Sequence, residues 1–170
     1  MDKYVTRCPI VSDPEMDLKE MPEAFIMAKE RALGYLHKAG IDDDIDIGLK
    51  KFYGEQECWL ALYQRMTQFK TNPKFFVNTQ TPGIIDAAVL PQNMTVEDVM
   101  VDSILHEYGH VIEEWARVKS PEMKRLIYGP FSDEEDFAEY MVDFFRYRKD
   151  GKRRDTVDKV VKLYISGAFE

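Results

Sequence analysis

The segment His106-Glu107-Tyr108-Gly109-His110 constrains this chain more than any other. Histidines four residues apart on a helix lie one turn above the other on the same face. Both imidazoles can then reach one tetrahedral metal ion. Glu107 stands beside them with a carboxylate free to handle the protons of a water. Ile104, Leu105, Val111, Ile112 and Trp115 recur around the motif at helical spacing, so it is expected on an amphipathic helix partly packed into a core. Gly109 removes a side chain next to the second histidine and is expected to leave room near the metal.

A catalytic zinc ion takes three protein ligands and keeps a fourth position open for water. The chain has three histidines, and no histidine follows His110. The positions where a metzincin carries Gly and His are Glu113 and Ala116 here, which excludes that class. His37 is far upstream and reads as a surface or helix-end residue. The third ligand is therefore expected to be a carboxylate. The acidic run Asp133-Glu134-Glu135-Asp136, then Glu139, opens the next long helix. Glu135 is the preferred ligand, with Asp136 and Glu134 as alternatives. Glu139 shares a face with Glu135 and can accept a hydrogen bond from a ligating imidazole. The bland reading of the same acids is a solvated helix start, with Ser132 and Glu135 forming a capping box.

At 170 residues the chain has the size of one compact domain, and no repeat or linker divides it. Residues 1 to 17 read as an irregular lead-in punctuated by Pro9 and Pro14. A first helix is expected from about Pro22 to Ala39, with Gly40 as its stop. Ile45, Ile47 and Leu49 alternate as a half-buried strand, and Phe75-Phe76-Val77-Asn78 reads as another. The stretch from Cys58 to Phe69 fits strand or helix, and Pro82-Gly83 marks a turn. Thr95-Val96-Glu97-Asp98 fits a capping box that opens the motif helix, which should run to about Arg117 before Ser120-Pro121 breaks it. Further helices are expected from about Asp133 to Lys149 and from Thr156 to Ile165. Strands first and helices afterwards favour an α+β domain over a doubly wound sheet.

At this point the residues resemble a known family. His106-Glu107-Tyr108-Gly109-His110, then Tyr128-Gly129, then Glu135-Asp136-Phe137-Ala138-Glu139 look like the catalytic region of the anthrax lethal factor-like metallopeptidases, a group that includes the Pro-Pro endopeptidases. The resemblance covers roughly residues 96 to 148. It implies a zincin-like single domain of the gluzincin type, with a small N-terminal sheet and helix ahead of the motif helix and a Glu-bearing helix. It implies one zinc ion per chain, held by His106, His110 and Glu135. Glu107 would be the general base, Tyr128 would stabilise the oxyanion, and Glu139 would support the ligands from behind. The activity implied is zinc-dependent peptide hydrolysis of a peptide or protein substrate. A reading of another class is a catalytically retired zincin fold that acts as a zinc-stabilised binding module.

The remaining features narrow the field. A net charge of −8 argues against nucleic acid as the main partner. The basic run Arg146, Arg148, Lys149, Lys152, Arg153 and Arg154 is expected to be a solvated helix end. No apolar run is long enough to span a bilayer, and the N-terminus carries no secretory pattern, so a cytoplasmic protein is expected. Cys8 and Cys58 make no disulfide framework and read as two reduced thiols. Asp42, Asp44 and Asp46 with Gly48 mimic a calcium loop, but Tyr53 stands where the bidentate Glu belongs. Phe75-Phe76-Val77-Asn78 fits either an edge strand near the cleft, able to pair with an extended peptide, or an ordinary strand of the sheet.

Overall fold

A computed structural model of the chain describes residues 14–42, 45–50, 61–64, 74–78, 94–147 and 151–166. Helix α1 spans Pro14–Lys38, so the chain is helical two turns ahead of the start expected at Pro22 and within the supposed lead-in. The reason is a repeated signal: Pro14 suits a first helical turn as well as Pro22 does. Pro22 instead sits inside the helix, where its missing N–H removes one backbone hydrogen bond. Phe25, Ala28, Ala32 and Leu36 recur at spacings of three and four and form the buried face. The helix ends as expected at Gly40, whose φ of +93° suits a residue without a β-carbon. The Gly40 N–H bonds the His37 carbonyl, the Ile41 N–H bonds that of Leu36, and buried Ile41 closes the end.

Three strands follow among the described residues: β1 (Asp46–Lys50), β2 (Ala61–Gln64) and β3 (Lys74–Asn78). Their order is β1-β3-β2. β1 lies parallel to β3, with Ile47 opposite Phe75 and Leu49 opposite Val77. β2 lies antiparallel to β3, with Ala61 opposite Val77. β3 is thus the central strand, which corrects its reading as a peptide-accepting edge: its backbone groups are paired on both sides. Ile47, Phe75 and Val77 are buried, and Phe75 lies 5.9 Å, ring to ring, from Tyr108. The sheet therefore leans on the motif helix.

That helix is α2 (Val96–Lys119). Thr95 caps it as expected: its hydroxyl accepts from the Asp98 N–H, and the Asp98 carboxylate accepts from the Thr95 N–H at 2.9 Å. Ser120 ends α2 and at once caps the short α3 (Pro121–Ile127), with Pro121 in the first turn. The break at Ser120-Pro121 is as read, but the helix after it was not expected. α4 (Glu134–Val142) runs into a single π-helical turn, Asp143–Tyr147, where one regular helix to Lys149 was expected. α5 (Lys152–Ser166) begins a turn earlier than Thr156.

α2 is the hub of the core. Tyr108, Trp115 and Tyr164 are fully buried behind the motif, with the Tyr108 and Tyr164 hydroxyls 2.9 Å apart and the Trp115 and Tyr164 rings edge to face at 5.2 Å. Burying an apolar side chain of this kind contributes about 1.5–3 kcal/mol, which fixes the helix that carries the histidines. The chain is an α+β fold in which a small mixed sheet and a helical set share one core. No helix among the described residues is long and apolar enough to cross a membrane.

Candidate metal centre

One stripe of α2 is polar although the helix is mostly buried. Asp98, Asp102, His106 and His110 recur every fourth residue, and Glu113 and Arg117 continue the line. α4 and its π turn run antiparallel to that stripe and answer it in charge. Glu135 meets the two histidines, while Arg146 pairs with Asp102 and lies 3.5 Å from Asp98. Arg146 is only 9% exposed, so it is an internal ion-pair partner and not the solvated helix end expected of it. Burial opposes its charge, and the Asp102 carboxylate outweighs that and raises its pKa. Farther along the same basic run, Arg153 pairs with Asp136 at 3.0 Å and stacks on Phe131, and Arg154 stacks on Phe144.

The two helices approach closely because residue 109 is glycine. A β-carbon there would lie 2.9 Å from the Ala138 Cα and 3.1 Å from Met141 side-chain carbons. Gly109 therefore makes room for α4, not for a metal as expected. Its absent side chain is what allows Glu135 to reach the histidines.

The start of α4 settles which acid faces them. The capping box expected between Ser132 and Glu135 does not form. Asp133 is the cap, accepting from the Asp136 N–H at 2.8 Å, and the Asp136 carboxylate accepts from the Ser132 N–H at 3.0 Å. Asp136 is thus occupied by the helix start and by Arg153, and Glu134 is exposed. Glu135 is left to face the histidines. Its Oε2 lies 3.0 Å from Nε2 of His106 and its Oε1 lies 3.0 Å from Nε2 of His110. One ligand atom from each of His106, His110 and Glu135 fits within 4.8 Å of the others.

Electrostatics fit the geometry. Hydrogen bonds from His106 and then His110 hold the Glu135 carboxyl far below the usual carboxylate range. Burial opposes the charged form of His110, but the Glu135 hydrogen bond and the charge of Glu107 outweigh it and raise its pKa. Glu107 is partly exposed and near enough to act on His110. The Glu135 side chain is 47% exposed, so the cluster opens to solvent on one side. Glu139, one turn farther along α4, is exposed.

The donor set suits zinc. Imidazole nitrogens and a carboxylate are its ordinary ligands, and a tetrahedral ion with bonds of about 2.0–2.1 Å sets adjacent ligand atoms about 3.3 Å apart. The two 3.0 Å separations lie near that spacing.

Tyr128, at the end of α3, donates its hydroxyl to Oε2 of Glu113 at 2.7 Å. Arg117 Nε bonds the same carboxylate at 3.1 and 3.3 Å. Burial, then the hydrogen bond and charge of Glu113, push the Tyr128 phenol well above its ordinary pKa. Sequence reasoning passed over Glu113. The available signal was its place three residues past His110, on the histidine stripe, among the apolar Val111, Ile112, Trp115 and Ala116.

Other candidates stand apart from the cluster. His37 is exposed and pairs with Asp42. Asp46 belongs to β1, while Asp44, Cys8, Cys58 and the turn at Pro82-Gly83 lie outside the described residues. Comparison with protein-family models, with curated proteins and with solved structures returned no match.

Proposed function

We propose that this chain is a zinc-dependent peptidase of zincin-like fold, with one zinc ion held by His106, His110 and Glu135. The observation that carries the reading is the Glu135 carboxylate, brought from a separate helix to 3.0 Å from both Nε2 atoms of the H-E-x-x-H motif. When bound, zinc supplies a Lewis acid that polarises a carbonyl and lowers the pKa of water toward about 7.

The rest falls to the protein. Glu107, partly exposed beside the two histidines, accepts a proton from the attacking water and passes it to the leaving amine. Tyr128 supplies a hydrogen bond to the oxygen on which negative charge develops. Glu139, being exposed, has no part in this reading. The substrate class is a peptide or protein segment, and the compartment is the cytoplasm.

Elemental analysis of protein purified without chelators tests the metal site, and peptide-library digestion tests the activity. The expected result is about one zinc per chain in wild type, a clear loss in Glu135→Ala, and cleavage that disappears in Glu107→Ala. Zinc bound tightly with no cleavage of any library peptide would replace this reading with the zinc-stabilised binding module.

A further inference from the structure

Glu113 is a buried carboxylate that the metal centre leaves unused. Its side chain is 1% exposed, and a charge so buried persists only with partners. It has two among the residues described above. Arg117 holds both carboxylate oxygens from one side, so the acceptor is fixed in place. Tyr128 approaches Oε2 at 2.7 Å.

The chemistry of that last bond is restrictive. A phenol has one proton to donate, and here it goes to Glu113. A carboxylate is a charged acceptor and outcompetes a neutral carbonyl oxygen for that proton. An oxygen that has gained negative charge competes on equal terms. Glu113 is also three residues from His110, so the phenol it anchors belongs to the histidine face of α2. We propose that Glu113 is a positioning residue for the hydrolysis: one helical turn beyond His110 it holds the Tyr128 hydroxyl by accepting its hydrogen bond, which the phenol gives up only to an oxygen carrying developing negative charge. This rests on the peptidase reading above. Its effect is the differential one that catalysis requires, because the bond to substrate is withheld in the ground state and made in the transition state.

The test is a double-mutant cycle on the zinc-loaded full chain, using a library peptide that wild type cleaves. Glu113→Gln offers a neutral acceptor that no longer orients the phenol. It is expected to lower kcat about tenfold, with KM changed less than about twofold. In the Tyr128→Phe background the same substitution should change kcat less than about twofold. Glu113→Asp keeps the charge but retracts the acceptor. It should reproduce the kcat loss, and it serves if the glutamine variant does not fold.

A second readout needs no activity. The ultraviolet titration of wild type minus that of Tyr128→Phe isolates the Tyr128 phenol, and Glu113→Gln should bring its midpoint down. An equal kcat loss with and without the Tyr128 hydroxyl would overturn the proposal, as would an unchanged phenol titration. Failure of the peptidase reading looks different: wild type binds zinc and cleaves nothing, and the catalytic role of Glu113 falls with it whatever the titration shows.

Discussion

Ala138 stands where a side chain on residue 109 would begin: its Cα is 2.9 Å from the place of a β-carbon on Gly109. No flexible side-chain end is available to yield there, because the obstacle is the backbone of α4. Gly109→Ala should therefore cost about 1–3 kcal/mol as overpacking, even though alanine is the better helix former. It should also weaken zinc binding, since pushing α4 away at Ala138 carries Glu135, three residues earlier on the same helix, away from the histidines. Urea denaturation and a zinc titration check both parts. Unchanged zinc affinity in a destabilised variant would mean that α4 tilts without moving Glu135.

Metal should stabilise the fold measurably. His106 and His110 come from α2 and Glu135 from α4, so an ion binding all three links two helices that the unfolded chain does not hold together. At a free zinc concentration about 100 times the dissociation constant, linkage adds about 2.7 kcal/mol. A thermal melt with and without a chelator should show the shift in wild type. In Glu135→Ala most of it should vanish.

The Asp102–Arg146 pair is a buried salt bridge, with the two side chains 6% and 9% exposed. Replacing Arg146 alone takes the guanidinium from the buried Asp102 carboxylate, which should cost about 3–5 kcal/mol. Arg146→Met combined with Asp102→Leu should recover much of that loss, because neither charge is left alone. Equilibrium denaturation of the single and double variants measures the difference.

Acid should attack the first turn of α2. Burial disfavours the Asp98 carboxylate, but the Thr95 N–H and the Arg31 guanidinium outweigh it and lower its pKa. A carboxyl lowered in the folded state contributes stability that is complete above its ordinary value of about 3.9. That contribution is lost as pH falls through the lower folded value. Asp98→Asn should therefore cost stability at pH 7 and show a flatter loss than wild type as pH falls below about 4, read from denaturation midpoints. Thr95→Ala should cost about 1 kcal/mol at neutral pH.

Local chemistry made much of this legible in the sequence. The Thr95–Asp98 cap, the Gly40 stop and the alternation of Ile47 and Leu49 depend on neighbours a few residues away, and all three are present. The pairing of His106 and His110 with Glu135 was also reachable, because helical spacing and the shortage of histidines leave few alternatives. What escaped depends on distant partners. Nothing near Phe75 says that strands will pair on both its sides, and nothing near Arg146 says that Asp102 waits on another helix. At the start of α4, Ser132 and Asp133 are both good caps. Asp133 is the one that caps, and Arg153 of α5 meets the Asp136 carboxylate on the same turn.

The polar stripe on α2 carries a consequence for how the two helices find their alignment. Apolar side chains packed between helices tolerate a slide of one turn, about 5.4 Å, because one leucine-like contact replaces another. Charges do not. A slide of α4 by one turn toward the start of α2 would set the Glu135 carboxylate against the buried Asp102, two like charges side by side. A slide the other way would carry Arg146 off Asp98 and toward His106, and would take the Glu135 carboxylate off His106. Asp98, Asp102, His106 and His110 therefore act as notches on a key, and only one depth of insertion turns: the one that delivers Glu135 to the histidines.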